Sequence, residues 1–506
     1  MGAEKLAQKT DTYLQTHIQD SYTTLEKTLT DEIVIALCGQ LGTNLSLVAK
    51  NIQDILRDNY GYETEIINLS TFLDIGKQKD EYSRIVKGMN EGNKLRKEHS
   101  PQILADFAIS EIAKSRVRET DKSSLNKEKF SSRRKCFIIN SLKHHKEYEQ
   151  LRSVYGSTLY LLGIFSPFED RRKYLEDKFS SKYHNKIGNL IDRDTGEDIQ
   201  TGQEVEKVFE NSDYFIRTYR ADDKIKKRIE TFIDLIFDYG FNTPTIEERA
   251  MYQAASASAN SACLSRQVGA CITDKNGHIL SLGWNEVPCA GGGVYHIASK
   301  NDARCFKKKE CANSKRKDII SSKIIESLVK ERIISEEQKE KTANIINDKN
   351  NGLKNLIEFA RSIHAEMHAI IIGSQKTGDK MVDGKLFCTT YPCHNCARHI
   401  VLSGIKEVYY IEPYRKSLCM DLHPDSITES ENDKTGKVKI LMYEGVAPKM
   451  YMKFYQMIND NRKGKVKNKV KRRELSPKHR ISLRALHEKE GVSVKYLAEK
   501  KLIELT

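Results

Sequence analysis

The sequence predicts an α/β protein of two units: a parallel sheet with crossover helices over residues 31–242, then a three-layer α/β unit over 243–460. Three observations lead there. Buried, β-rich runs alternate with helical patterns through the first half. A helix stop at Gly240 is followed by a capping box, Thr245-Ile246-Glu247-Glu248, that opens a new helix. Beyond it, helix, hairpin, helix, strand, helix and strand follow in the order of a single further unit. Residues 1–30 read as a polar helical lead-in, and 461–506 as a basic tail.

The first unit begins with the buried strand Ile33-Val34-Ile35-Ala36-Leu37-Cys38. Gly39-Gln40-Leu41-Gly42-Thr43-Asn44-Leu45-Ser46 follows, then a helical pattern to about Asp58. Strand, glycine turn and helix is the layout of a P-loop. The match is degenerate, because Asn44 and Leu45 stand where that pattern needs Gly and Lys, while Ser46 keeps the hydroxyl position. Backbone N–H groups of Gly39, Gly42, Asn44 and Ser46 are expected to hold phosphate of a nucleotide without transferring it. The alternative is a tight turn that binds nothing. Cys136–Asn140, Thr158–Phe165 and Ser212–Ile216 read as further strands, with a helix between the first two. Arg171 and Arg172 follow the second of these and are either phosphate partners or an exposed helix face. A helical pattern over 222–239 closes the unit.

The second unit opens with a helix running to about Cys263. Val268–Ile272 and His278–Gly283 read as a hairpin turning at Asn276-Gly277. A charged insertion, about 300–355, precedes His364-Ala365-Glu366 on a helix start. Lys385–Thr390 is a buried strand leading into Pro392-Cys393-His394-Asn395-Cys396, and Ile405–Ile411 is another. His364, Cys393 and Cys396 supply three ligands for zinc and leave a fourth position for water. Glu366 has no place as a ligand and is expected to move protons. The H-x-E…P-C-x-x-C spacing is that of zinc-dependent nucleobase deaminases. A structural zinc ribbon would need four protein ligands and would leave Glu366 without a role.

Composition sets the class. The 506 residues carry a net charge of +14, with a pI of about 9.0. The basic run Asn461–Arg473 is either a contact for nucleic acid or another polyanion, or a solvated tail. No apolar run approaches spanning length and no signal core opens the chain, so a soluble cytoplasmic protein with no membrane partner is expected. Eleven scattered cysteines argue against a disulfide framework. Cys38, Cys136, Cys263 and Cys271 sit in apolar surroundings and read as core.

Four stretches carry a family resemblance: Ser265-Arg266-Gln267-Val268-Gly269-Ala270, Gly283-Trp284-Asn285-Glu286-Val287-Pro288, His364-Ala365-Glu366-Met367-His368-Ala369, and Thr390-Tyr391-Pro392-Cys393-His394-Asn395-Cys396. Through them residues 245–425 resemble the deoxycytidylate deaminase family, within the cytidine-deaminase fold. That family usually shows Asn-Gly where this chain has Asn285-Glu286. By resemblance, Asn285 contacts the deoxyribose or its phosphate, Arg266 pairs with phosphate, and Tyr391 belongs to the same substrate-binding set. Some members hold a second, structural zinc in the region of Cys289, His296, Cys305 and Cys311. The alternative for those four is two partly buried thiols, a surface cysteine and an unrelated histidine.

The layout of a degenerate P-loop, kinase-like domain fused to such a deaminase is similar to the bacterial anti-phage dCTP deaminases. Lys416-Ser417-Leu418 and Asp421-Leu422-His423-Pro424-Asp425 also resemble that group. The resemblance implies deamination of free dCTP to dUTP, with dCMP to dUMP as second choice, in antiviral defence. It also implies a homo-oligomer and regulation by an RNA or a phage-derived factor. Two other readings stay open: a nucleic-acid cytidine deaminase gripping a strand with the basic tail, and a nucleotide-sensing protein with deaminase output.

Overall fold

Ile33–Gly39 is a fully buried apolar run, and it forms the central strand β1 of a parallel sheet. Around it lie β2 (Glu63–Asn68), β3 (Lys135–Asn140), β4 (Leu159–Phe165) and β5 (Tyr214–Arg217), in the order β2-β3-β1-β4-β5. The two-residue strand Gly445–Val446 adds antiparallel to β5. The computed structural model describes residues 21–123, 132–197, 201–219, 224–348, 351–414, 416–457 and 470–504. The chain falls into two compact units: Met1–Thr243 with Glu444–Val446 and Met452–Thr506, and Pro244–Tyr443 with Ala447–Tyr451.

In the first unit, helices α1 (Leu45–Ile55), α2 (Ile103–Ser123), α3 (His145–Tyr155) and α4 (Ile187–Thr195) connect the parallel strands. Strand β2 was not legible from pattern, because only Ile67 of its six residues is fully buried. The segment read as a basic tail is folded from residue 470 onward. Ile481–Ser482 pairs with Leu29–Thr30, and the helix Leu483–Glu499 packs on α2. Its Glu490 is fully buried and receives a two-pronged contact from Arg116, at 2.9 and 3.1 Å. Removing one partner of such a buried pair costs about 3–5 kcal/mol, so this helix is part of the unit's core. Most of the expected lead-in (residues 1–20) and most of the basic run (461–469) lie outside the described residues.

The second unit opens with α5 (Ile246–Ser258), capped reciprocally by Thr245 and Glu248 at 3.1 and 2.8 Å. Strands β6 (Gly269–Thr273) and β7 (Ile279–Trp284) form the hairpin, with Gly277 at φ +84° in its turn. Helix α6 (Ala312–Lys330) lies in the insertion. Then come α7 (Ala365–Thr377), β8 (Lys385–Thr390), α8 (His394–Leu402), β9 (Glu407–Glu412), β10 (Ile427–Thr428) and β11 (Val438–Met442). The sheet order is β10-β11-β9-β8-β6-β7.

Two glycines set the layers. A Cβ on Gly269 would lie 1.9 Å from the Ala254 carbonyl of α5, and one on Gly283 would lie 2.3 Å from the Ala365 carbonyl of α7. Gly283 registers with Ala270, the neighbour of Gly269, so the two glycines face opposite sides of the sheet. Helices α5 and α7 therefore press on opposite faces. Among the described residues, no helix is long and apolar enough to cross a membrane.

Candidate active site and metal centre

Two helix starts meet at the candidate centre. His364 occupies the N-cap position of α7, and Cys393 that of α8. Pro392 immediately precedes the second of these caps. The Cys396 N–H donates to the Cys393 Sγ at 3.4 Å, so the cap itself steadies a thiolate. His364 Nδ1 lies 3.2 Å from Cys393 Sγ and 3.3 Å from Cys396 Sγ. Tetrahedral bonds of about 2.3 Å to sulfur and 2.0–2.1 Å to nitrogen place such ligands roughly 3.6 Å apart. The three atoms are thus close to a zinc set.

Electrostatics agree with the geometry. Hydrogen bonding from Cys396, and then from His364, holds Cys393 down at about 4 against its burial. Burial, followed by the neighbouring thiolate, pushes Cys396 up. Burial opposes charge on His364, yet the Cys393 thiolate outweighs it and lifts the imidazole to about 9. A metal cation here would take over the role of that proton and favour both thiolates. Glu366 is 4% exposed. Burial, then the charge of Cys393, pushes its carboxyl up to about 7, the range of a group that both takes and returns protons.

A cavity of about 280 Å³ opens over His364, Glu366 and Cys393. Arg266, Asn285 and Tyr391 are among the residues that line it. Their polar groups are partly committed elsewhere. Asn285 accepts the Val268 N–H at 2.8 Å and donates to the Arg266 carbonyl at 2.8 Å, which leaves one N–H and one lone pair. The Tyr391 hydroxyl donates to Glu429 at 2.8 Å. Arg266 is about half exposed, with Nη1 3.5 Å from Glu412. Arg361 and Tyr414 also line the cavity, and sequence reasoning assigned neither to it. Arg361 stands three residues before His364, a position that could have flagged it; Tyr414 carries no comparable signal.

The four residues considered for a second zinc do not gather. Cys289 donates to Gly292 O at 3.1 Å within a glycine-rich turn, and His296 Nδ1 accepts the Ala298 N–H at 3.2 Å. Cys305 and Cys311 instead line the cavity, as does Cys263, which is not a core residue. Among the described residues, two groups of His, Cys and carboxylate atoms lie within 4.8 Å of one another: His364/Cys393/Cys396 and His144/His145/Glu204. In the second, His144 Nδ1 accepts the Lys146 N–H at 3.2 Å as a helix cap. A neutral His144 then carries its proton on Nε2, 3.2 Å from Glu204, so that nitrogen has no lone pair for a metal.

The glycine turn after β1 is likewise filled from within. Asp194 Oδ2 accepts the Leu41 N–H at 2.7 Å, and Lys143 Nζ contacts Asp194 Oδ1 at 2.8 Å and Gly39 O at 3.1 Å. Asn44 is the N-cap of α1, accepting from Leu47 at 3.2 Å. Gly42, at φ +88°, faces the Arg171 backbone, and Arg172 pairs with Glu176 on the surface. Leu45 packs over Gly39. Asp194 and Lys143 thus brace the turn at Leu41 and Gly39 from within, and the Asn44 side chain is taken by the helix cap.

Residues 244–412 match the model of the cytidine and deoxycytidylate deaminase zinc-binding region. ComE operon protein 2 of Bacillus subtilis (strain 168) is 46% identical over 56 residues, 11% of this chain and 29% of that protein. This chain therefore spans less than a third of that relative. The deoxycytidylate deaminase of Enterobacteria phage T4 is 28% identical over 160 residues, covering 32% of this chain and 74% of the phage protein. A dCMP deaminase from cyanophage S-TIM5, solved with dCMP and dUMP, aligns at 21% identity and TM-score 0.23, over 40% of this chain and 100% of that one. The second unit thus carries a zinc domain of the cytidine and deoxycytidylate deaminase kind, and its His/Cys cluster matches the zinc-binding signature.

Proposed function

We propose that this protein hydrolytically deaminates a free deoxycytidine nucleotide. The observation that carries this is the convergence of His364, Cys393 and Cys396 at a cavity that also holds a buried Glu366. Zinc, when bound by those three side chains, supplies Lewis-acid activation of water. Glu366 takes the proton of the attacking water as it adds to C4 of cytosine. It gives that proton to the ring nitrogen, then takes the second proton from the new C4 hydroxyl and passes it to the departing amine. Ammonia leaves and uracil remains. Arg266 and Arg361, on the cavity wall, provide the positive charge that a nucleotide phosphate needs.

The name of the phage T4 relative supports deoxycytidylate as a substrate. The whole-chain resemblance supports dCTP as the first choice and dCMP as the second, with depletion of dCTP as a defence against phage. The same resemblance supports a homo-oligomer responsive to an RNA or a phage-derived factor.

The test is direct. Purified protein is incubated with dCTP, dCMP, CTP and single-stranded DNA, and products are weighed for the gain of about 1 Da that amine-to-oxygen exchange gives. Conversion of dCTP or dCMP is expected. Reaction of cytosine in DNA with free nucleotides untouched would replace this reading with strand editing.

A further inference from the structure

We infer that Glu286 is the positioning residue that holds the substrate-pocket wall together, an assignment that rests on the proposed deaminase activity. Glu286 is 1% exposed. Its Oε2 accepts the Ala262 N–H at 2.9 Å, and its Oε1 accepts the Val287 N–H at 2.9 Å. The guanidinium of Arg304 stands 3.9 Å from Oε2, in a longer contact than its 2.8 Å pairing with Asp302. On the main chain, the Glu286 carbonyl accepts the Ile363 N–H at 2.9 Å.

These contacts join three parts of one cavity. Ala262 begins the segment 262–268, which contributes Cys263, Ser265, Arg266 and Val268 to the lining. Arg304 precedes Cys305, where the insertion enters the same wall. Ile363 precedes His364, the metal ligand. Asn285 fastens the far end of segment 262–268 through Val268 and Arg266, while Glu286 fastens its near end. A buried carboxylate is costly unless its oxygens are satisfied. Here both oxygens take backbone N–H groups, and a cation faces one of them. Removing the carboxylate leaves two N–H groups and a guanidinium short of a partner, and frees the segment that carries Arg266. No atom of Glu286 is among the ligands, so its loss should act on substrate placement before it acts on metal.

The test uses Glu286→Ala and Glu286→Gln in the full chain, with three readouts. Zinc per chain should equal that of the unmodified protein in both variants. For deamination of dCTP or dCMP, KM should rise on the order of tenfold in Glu286→Ala while kcat stays within about threefold, the loss of binding shared by ground and transition states. Glu286→Gln keeps one acceptor oxygen and should recover part of that KM. Amide hydrogen exchange of segment 262–268 should quicken in Glu286→Ala and less so in Glu286→Gln. Unchanged exchange with unchanged KM would overturn the assignment. So would a parallel fall of zinc content and kcat, which would make Glu286 a general scaffold residue. If the unmodified protein deaminated no nucleotide, the proposed function would fail. The exchange measurement would still decide whether Glu286 clamps the segment.

Discussion

The turn after β1 in the first unit and the start of α8 in the second are built alike. Each joins the end of a buried strand to the N-terminus of a helix, where backbone N–H groups and the helix dipole favour an anion. Their outcomes are opposite. At the first, the chain's own Asp194 takes the Leu41 N–H in the turn ahead of the helix, Lys143 neutralises it, and Asn44 spends its side chain on the cap. At the second, the anion is the Cys393 thiolate, which meets His364 and Cys396 beside an open cavity. A helix N-terminus fixes where negative charge is welcome. Whether the site binds anything depends on whether the protein has already supplied that charge.

The largest effect that would break this contrast is at Glu366. Glu366→Gln should lower deamination by about 10²–10⁴-fold or more, because one carboxylate serves both the attacking water and the leaving amine. Zinc per chain should not change, since Glu366 is not a ligand. Near-normal turnover in that variant would remove the second unit's claim to be the working site. Next comes the metal. Cys396→Ser should lose most of its zinc by metal analysis, because the remaining His364 and Cys393 make only two of three protein ligands. Retention of full zinc in Cys396→Ser would mean that the ion sits elsewhere.

The ease of reading the two sites from sequence differed for the same physical reason. His364, Glu366, Cys393 and Cys396 lie in two short segments whose spacing is dictated by ligand geometry, so the pattern itself carries the chemistry. Buried strands were equally plain: Ile33–Gly39 is an unbroken apolar run, and Lys385–Thr390 has the apolar centre Leu386-Phe387-Cys388. Asp194 could not be read that way. It is 153 residues from Leu41, on a helix with no motif, and only the fold brings it to the turn. The helix Leu483–Glu499 was hidden by charge, because its buried Glu490 looks solvated until Arg116 is placed against it. The four residues proposed for a second zinc failed because soft ligand types were present without a spacing that fixes geometry.

A middle-sized effect tests the internal anion. Asp194→Ala leaves the Leu41 N–H and the Lys143 ammonium without their partner. It should destabilise the protein by about 1–3 kcal/mol, seen as a lower thermal midpoint, with zinc content unchanged. Calorimetry of the unmodified protein with ATP should show no binding at this turn, because the carboxylate already holds the N–H and the lysine. Micromolar ATP binding abolished by Lys143→Met would break the contrast and restore a working nucleotide loop.

The smallest effect separates backbone strain from contact. Gly42 and Gly61 both have positive φ, +88° and +66°. An alanine at either must adopt a left-handed conformation, at roughly 1–2 kcal/mol. At Gly61, just before β2, a Cβ would meet nothing closer than the Arg473 side chain at 3.7 Å, an ordinary contact, so Gly61→Ala should cost that strain alone. At Gly42 the new Cβ would lie 2.8 Å from the Arg171 carbonyl oxygen and 3.0 Å from its Cα. Backbone atoms yield less readily than a side-chain tip, so Gly42→Ala should cost more than Gly61→Ala by about 1 kcal/mol or above. Urea unfolding of the two variants checks this, with each midpoint referred to the unmodified protein. Equal losses would mean that Arg171 does not close the turn, and that the first unit's cradle is looser than its hydrogen bonds imply.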